Sequence, residues 1–286
     1  MKVNRSSFRL TSNKDFKNIG LISDVHFGSS SLLKKALKSD LNRMAEAEAE
    51  IAINGDLWDF ILPSDVKRFD LDALDRELLI QGVKPLDAAL DMAYEYLKPY
   101  ASMIKFIGIG NHEAHVKKRH HICLTSILID RLNQLPNVNV EPGGWCGYWH
   151  ITLDLFSAHL PFVLYRHHGA GGGAPVTKGI MDFQRLMAWQ GNVDALWLGH
   201  NHYKKVYPDV KMILDIKNNK VYQKNVWCIR TASYLDTYGL ETAPSYAEGW
   251  NVSPQPVGGV ILKLKVQETI TRQKRIRTVA CEPLQW

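Results

Sequence analysis

The stretch "NIGLISDVHFG", residues 18–28, places a short apolar run directly before a polar loop that carries an aspartate and a histidine. A short apolar run bounded by turn-forming residues is typical of a buried β-strand. Four later stretches repeat this pattern: "IAINGDLWDF" at 51–60, "MIKFIGIGNHE" at 103–113, "FVLYRHHGAGGG" at 162–173 and "VDALWLGHNH" at 193–202. The repetition predicts several buried strands that each end in a polar loop.

Helix-like stretches alternate with strands in the first half of the chain, whereas the chain beyond about residue 205 is rich in strands. Helices are predicted at 31–50, near 70–80, at 85–98 and at 177–190, the last with Ile180, Phe183 and Met187 on one face. This order predicts an α/β fold with sheets between helices. No break in composition divides the chain. We therefore predict a single domain over 1–286, with its core at about 18–205 and with completing strands and a candidate lid in 206–286.

The composition narrows the class of protein. Of the 286 residues, 45% are hydrophobic and 22% charged, which is typical of a globular protein. No stretch approaches the roughly 18–20 apolar residues that a membrane helix needs, and the N-terminus lacks the apolar core of a secretory signal. We therefore expect a cytoplasmic protein without a membrane span. The four cysteines are far apart, which argues against a thiolate zinc site or a disulfide framework.

The net charge of +6 favours an anionic substrate. The basic clusters at 115–121 and 272–277 would suit phosphate, but neither establishes nucleic-acid binding by itself.

Chemically active residues gather where the predicted strands end. They are Asp24 and His26; Asp56 and Asp59; Asn111, His112 and Glu113; His167 and His168; and His200 and His202. In open α/β sheets, ligands bind beyond the carboxyl ends of the strands, where several loops converge. These side chains are therefore expected to form one site.

The residue types in this set indicate a transition metal rather than magnesium or calcium, because histidines accompany the aspartates. Asp24 and His26, like His200 and His202, are two residues apart, so on an extended strand both members of a pair would face the same side. Seven candidate ligands exceed the four of a mononuclear zinc site and suit two metals.

The blocks "SDVH", "GDLWD", "GNHE", "HHG" and "GHNH", in this order from residue 23 to 202, resemble the calcineurin-like metallophosphoesterase family. The resemblance covers about two-thirds of the chain. It implies a four-layer α/β/β/α sandwich and a dinuclear metal centre. One block departs from the protein Ser/Thr phosphatase branch, which has an arginine within "GDxxD" where this chain has Leu57 and Trp58.

The resemblance also implies a role for each matching residue. One metal would be held by Asp24, His26 and His202, and the other by Asn111, His168 and His200, with Asp56 as the bridge between them. His112 would act on the substrate. Two carboxylates would orient these groups without binding a metal themselves: Glu113 and Asp59. In this picture Glu113 orients the imidazole of His112. Manganese, iron and zinc all suit such a ligand set.

Several points stay open at the level of sequence. His168, directly before Gly169, is the preferred ligand of the histidine doublet, with His167 as the alternative. The glycines at 169–173 either bind an anion or form a loop without that role, and the segment 236–259 is a lid, a contact surface or a crossover between strands. Four aromatic residues beside the ligands either stack on a base or belong to the core: Phe27, Trp58, Tyr165 and Tyr203.

The function predicted from this pattern is hydrolysis of phosphate esters, with a preference for phosphodiesters of a nucleotide or nucleic acid. The alternative is a phosphomonoesterase or pyrophosphohydrolase on a small nucleotide or a lipid-linked substrate. A third reading, a non-catalytic metal-binding scaffold, is disfavoured because His112 and the full ligand set are present. The sequence does not indicate an oligomeric state.

Overall fold

The computed structural model describes residues 1–59, 71–80, 85–171, 176–216, 218–242, 253–270 and 275–286. Within these residues the chain forms two six-stranded mixed sheets and six α-helices. The strands are β1 (Lys2–Leu10), β2 (Phe16–Ile22), β3 (Glu50–Ile53), β4 (Ile104–Gly108), β5 (Glu141–Gly144), β6 (Cys146–Leu155), β7 (Ala158–His167), β8 (Ala195–Leu198), β9 (Lys205–Asp215), β10 (Lys220–Arg230), β11 (Val260–Ile270) and β12 (Arg275–Leu284). The helices are α1 (Lys34–Glu46), α2 (Arg76–Ile80), α3 (Pro85–Leu97), α4 (Asn111–His120), α5 (Leu124–Leu132) and α6 (Ile180–Trp189).

The first sheet has the order β1-β6-β7-β8-β10-β9, and the second has the order β12-β11-β2-β3-β4-β5. In the second sheet β2, β3, β4 and β5 run parallel. In the first sheet β8 runs parallel to both β7 and β10. The carboxyl ends of β2, β3 and β4 therefore lie at one edge of the second sheet, and those of β7 and β8 at one edge of the first.

The two sheets pack face to face. The core between them combines residues of the second sheet, such as Ile19 and Phe106, with residues of the first, such as Trp149 and Trp197. The rings of Phe106 and Trp149 meet edge to face with their centroids 5.1 Å apart. Burial of such rings contributes more than their area alone, because the edge-to-face geometry is itself favourable.

Helices cover both outer faces. Residues of α1, α3 and α5 share a buried cluster with the outer side of the second sheet, whereas Phe183 of α6 packs on the outer side of the first. The layers are thus helix, sheet, sheet and helix. The predicted α/β class and its four-layer arrangement are confirmed.

Two helix predictions need correction. The helix predicted at 31–50 is shorter, because Glu48 takes a left-handed backbone conformation and β3 begins at Glu50. In α6, Phe183 is buried and Met187 packs beside it, but Ile180 is 38% exposed at the start of the helix. Leu186 packs against that cluster in its place.

Within the described ranges, none of the helices has the length and apolar composition needed to cross a membrane.

Candidate metal centre

Five loops at the carboxyl ends of strands from both sheets build one polar cluster. They follow β2, β3, β4, β7 and β8. Within it, three groups of side chains each bring their ligand atoms within 4.8 Å of one another. The groups are Asp24, His26 and His202; Asp56, His168 and His200; and His26, Asp59 and His112.

The first group brings two imidazoles to a buried carboxylate. The Nε2 atoms of His26 and His202 are 3.3 Å apart, and His202 Nε2 lies 3.5 Å from Asp24 Oδ1. Asp24 and His26 are almost completely buried. These three residues are the set that the family resemblance assigned to one metal.

The second group centres on His168, which is fully buried. Its Nε2 lies 3.0 Å from Asp56 Oδ2 and 3.2 Å from Asn111 Oδ1. The ring of His200 is at 5.3 Å from that of His168, edge to face. His168 Nε2 is also 4.0 Å from Asp24 Oδ1, so the two groups adjoin.

The two histidines of the doublet at 167–168 have different surroundings. His168 points into the cluster, whereas Nδ1 of His167 accepts a hydrogen bond from the backbone N–H of Gly169, at 2.9 Å. The backbone carbonyl of His167 accepts from the Asn54 side chain at 3.0 Å. Both contacts of His167 are therefore local, whereas His168 lies among the other candidate ligands.

The imidazoles are oriented in the manner of metal ligands. Nδ1 of His168 lies 2.7 Å from the backbone carbonyl of Asn54, and Nδ1 of His26 lies 3.3 Å from Asp59 Oδ1. A proton on each Nδ1 would satisfy these acceptors and leave Nε2 free to bind a cation, which is how partners behind a ligand usually fix its tautomer. Buried carboxylates beside imidazole nitrogens suit divalent transition metals, so the residues fit the group that the sequence implies.

The electrostatics of the cluster favour positive charge. Burial opposes a charged imidazole, but the hydrogen bond and charge of Asp59 outweigh it and raise the pKa of His26 to about 9. The charge of Asp56 likewise overcomes burial and raises the pKa of His168 to about 10. Burial alone would raise the pKa of Asp56, yet the charges of His168 and His112 hold that pKa far below its usual value. The carboxylates therefore stabilise cationic partners here.

The backbone of the ligand loops is unusual. Five candidate ligands have positive φ: Asp24 (53°), His26 (58°), Asp56 (47°), His200 (70°) and His202 (57°). Residues other than glycine rarely take this conformation, and where they do the strain often marks a functional site. The paired ligands do meet in one cluster, but the expected extended strand is wrong, since β2 ends at Ile22 and β8 at Leu198. In the loops that follow these strands, residues with a left-handed backbone conformation direct their side chains into the cluster instead.

Two glycines let the loops approach the carboxylates. A Cβ on Gly110 would lie 2.1 Å from Asp56 Oδ1, and one on Gly199 would lie 2.5 Å from Asp24 Oδ2. Real Cβ atoms do not come so close. Glycine before the asparagine of "GNHE" and before the histidine of "GHNH" is thus a steric requirement of the cluster.

Glu113 has a different role from the one expected. Its carboxylate accepts hydrogen bonds from the backbone N–H groups of Gly110 (2.7 Å), Asp56 (3.1 Å) and Leu57 (2.6 Å), which ties the loop after β3 to the start of α4. The carboxylate placed beside the His112 ring is that of Asp59, 3.4 Å from Nδ1. Burial, together with the charge of Asp56, raises the pKa of Glu113 to about 7. Glu113 lies at the third position of α4, where free backbone N–H groups converge. Its carboxylate therefore accepts from the backbone and not from the imidazole of His112.

The aromatic neighbours of the ligands belong to the core. Phe27, Trp58, Tyr165 and Tyr203 are all buried. The indole N–H of Trp58 donates to the backbone carbonyl of Ala89 at 3.1 Å, which directs that ring into the helical layer. Base stacking by these four residues is therefore wrong, because their faces are already covered.

Two sequence predictions fall partly outside the described residues. Of the glycines at 169–173, Gly172 and Gly173 lie outside them, as does 243–252 within the segment 236–259. Gly171 is described, and its carbonyl lies 2.9 Å from His200 Nε2.

Three residues of the site were missed at the level of sequence. Asn54 orients His168 through its carbonyl, and the hydroxyl of Ser23 donates to Asp24. Both are directly adjacent to a motif aspartate or glycine, a signal that could have drawn attention to them. Buried Arg230, at the end of β10, donates to the carbonyl of Gly199 at 3.2 Å and to Asp182 at 2.8 Å. No motif precedes it, so the sequence offers no signal for its role.

Comparisons with known proteins do not establish a family for the chain. No family model matches the sequence, and none of the curated proteins matches it. A conserved uncharacterized protein from Streptococcus pneumoniae, described as a predicted phosphoesterase, is similar at 11% identity and a TM-score of 0.34, over 94% of this chain and 99% of its own. GAP50, the anchor in the inner membrane complex of Plasmodium, is similar at 11% identity and a TM-score of 0.47, over 87% of this chain and 81% of its own. At these values the function has to be argued from the site itself.

Proposed function

We propose that this chain is a metal-dependent hydrolase of phosphate esters with a dinuclear centre. The observation that carries the proposal is the meeting of two largely buried groups of candidate ligands. Asp24, His26 and His202 form one, and Asp56 and His168 form the core of the other, with His168 Nε2 only 4.0 Å from Asp24 Oδ1. Two adjoining groups of this kind suit a pair of metals better than a single one.

The residues that would hold the two cations are those of the two groups. Asp24, His26 and His202 would hold one, Asn111, His168 and His200 would hold the other, and Asp56 would be shared. When bound, divalent manganese, iron or zinc supplies positive charge that activates water and neutralises the phosphoryl oxygens. Asp56 suits a shared position because it is buried and its pKa stays low, which keeps it a carboxylate.

His112 is the proposed proton donor to the leaving oxygen. It lies at the N-terminal turn of α4, where its own N–H donates to Asp56 Oδ1 at 3.0 Å. With Nδ1 directed to Asp59, its Nε2 faces Asp56 Oδ2 at 4.0 Å, on the side where the phosphoryl group would bind. An imidazole fixed in this way can give up a proton in the transition state.

We infer a phosphodiester substrate, either a nucleotide or a nucleic acid. The net charge of +6 supports an anionic substrate. Helix α4 begins at the site, with Asn111 and His112 in its first turn. Its other end carries three exposed cations: Lys117, Lys118 and Arg119. Cations along one helix that begins at the site would attract an extended phosphate backbone.

A cytoplasmic location is part of the same proposal. All four cysteines are free thiols. Unpaired cysteines suit a reducing compartment.

The experiment that tests the activity compares bis(p-nitrophenyl) phosphate with p-nitrophenyl phosphate. Metal-stripped protein is assayed alone and after manganese is added back, with a chelator-treated control. The proposal expects hydrolysis that depends on added metal, and faster cleavage of the diester. Preference for the monoester would replace the diester inference, and metal-bound protein that cleaves neither would contradict the proposed activity.

A further inference from the structure

Strand β9 forms an edge of the first sheet in the part of the chain that the structure describes. It spans Lys205–Asp215 and pairs along its whole length with β10. An edge strand of this length offers a row of backbone groups to another strand.

Two residues show which backbone groups of β9 face away from β10. Pro208 has no N–H to donate. Its place in β9 costs no hydrogen bond between β9 and β10 only when its nitrogen faces away from β10. The N–H of Val210 donates to its neighbour Asp209 Oδ1 at 2.8 Å instead of to β10. Because successive residues alternate in direction, the even-numbered residues of β9 present their backbone groups outward.

The same even-numbered residues carry an exposed apolar face. Val210, Met212 and Leu214 are 49%, 64% and 60% exposed. Toward the start of the strand, Val206 on that face packs against the core between the sheets, as does Trp227 of β10, which lies opposite Pro208. The inner face of the first sheet thus continues along the hairpin as an uncovered apolar surface.

The opposite face of β9 carries charges in a self-complementary order. Its odd-numbered residues are Lys205, Tyr207, Asp209, Lys211, Ile213 and Asp215. If two copies of β9 pair antiparallel about a twofold axis at Val210, each lysine meets an aspartate. Asp209 faces Lys211 of the second copy, Lys205 faces Asp215, and Tyr207 faces Ile213.

Neighbouring registers lose this match. Shifting the axis by one residue places Asp209 opposite itself or Lys211 opposite itself. Shifting it by two residues places Lys205 opposite Lys211, or Asp209 opposite Asp215. Like charges directly opposite one another on paired strands are unfavourable. The axis at Val210 is the one register within this range that avoids them.

The ladder within one chain adds a reason for the second copy. Lys211 lies opposite Lys224 of β10, so two like charges are neighbours. Lys224 is ion-paired with Asp194 at 2.9 Å, whereas Lys211 donates to the backbone carbonyl of Gln190, so an aspartate on the other side of Lys211 would add a counter-charge to it. In the Val210 register that aspartate is Asp209 of the second copy.

We propose that β9 is a self-association surface, which joins the first sheets of two copies of this chain edge to edge about a twofold axis at Val210. The even-numbered residues pair as Val210 with Val210, Pro208 with Met212, and Val206 with Leu214. Each pair exchanges backbone hydrogen bonds, apart from the one donor that Pro208 lacks. The apolar residues then meet across the interface on one face, and the ion pairs form on the other.

Two charge-reversal variants test the register. Asp209→Lys places lysines opposite one another, and Lys211→Asp does the same with aspartates. Each variant replaces both Asp209–Lys211 pairs with like-charge pairs, so the dissociation constant of the dimer should rise by about tenfold or more. A mixture of the two variants restores both pairs, because the lysines of one chain then face the aspartates of the other.

The measurement is sedimentation velocity of the full chain over a concentration series. The wild type is expected at twice the mass of the 32.5 kDa chain, each variant mainly as the monomer, and the equimolar mixture as a heterodimer. Lys38→Asp, an exposed position on α1, serves as the matched charge control and should behave as the wild type. Asp209 also accepts from Gln184 and Lys211 donates to Gln190, so thermal unfolding checks that each variant is folded.

Three results would overturn the proposal. One is a wild type that stays monomeric at every concentration, in which case Pro208 and the charges protect the edge. Another is a dimer that neither variant weakens, since it would use another surface. The last is a failure of the folded variants to associate when they are mixed.

Discussion

Raising the pH of the metal-free protein from 7 to 8.5 should destabilise it. The pKa values of His26 and His168 are raised in the fold to about 9 and about 10, against roughly 6.5 in an unfolded chain. The folded state therefore holds two protons that the unfolded state releases. The stability that they contribute is fully present below about pH 6.5 and is lost as the pH rises through the folded pKa values.

The size of the effect follows from proton linkage. Each extra bound proton changes the free energy of unfolding by about 1.4 kcal/mol per pH unit, so two protons over 1.5 units give a loss of about 2–4 kcal/mol. The buried carboxylates Asp24 and Asp56 have lowered pKa values and titrate below this window. Glu113, with its pKa raised to about 7, exerts most of its effect below pH 7.

The assay is urea unfolding at pH 7 and pH 8.5, on protein stripped with a chelator. His168→Gln is the matched variant, and it should show about half of the wild-type pH effect. Protein loaded with manganese should not lose stability over this range, because a cation takes the place of the protons. Metal-free protein that is equally stable or more stable at pH 8.5 would refute the assigned contacts of these imidazoles.

Five substitutions probe the roles of single residues. Asp56→Ala should remove most bound metal, measured by mass spectrometry of the elements, and two retained ions per chain would contradict a shared ligand. His112→Ala should keep the metal content but lower turnover of a diester by about 10²–10⁴-fold; an unchanged rate would exclude it as the proton donor. His168→Ala should lose metal whereas His167→Ala keeps it, and the reverse pattern would assign the other histidine. Gly199→Ala should lower metal affinity, because its Cβ would meet Asp24 Oδ2 at 2.5 Å, and normal affinity would show that the loop yields.

Local patterns in the sequence predicted the α/β class and the members of the cluster, and the family resemblance implied the four layers. Short apolar runs predict buried strands, and polar residues at their carboxyl ends converge in any sheet with parallel strands. Asp24, Asp56 and His168 could be placed together on this basis before any coordinates were known.

The contacts behind the ligands could not be predicted, because they depend on long-range packing. The sequence gives Glu113 and Asp59 the same chemistry, yet one accepts from backbone N–H groups and the other lies beside two imidazoles. Arg230 reaches the site from the end of β10 and lies 31 residues beyond Gly199, whose carbonyl it contacts. The extended pairing geometry also failed at Asp24 and His26, since a left-handed backbone is not visible in residue types.

The central claim is a centre for two metals, and counting bound ions tests it most directly. Metal-stripped protein would be dialysed against manganese to equilibrium, and its metal and protein contents measured together. We expect two manganese ions per chain, both lost at acidic pH, where protons compete more strongly with the metal for the imidazoles. One ion or none per chain at saturation would contradict it.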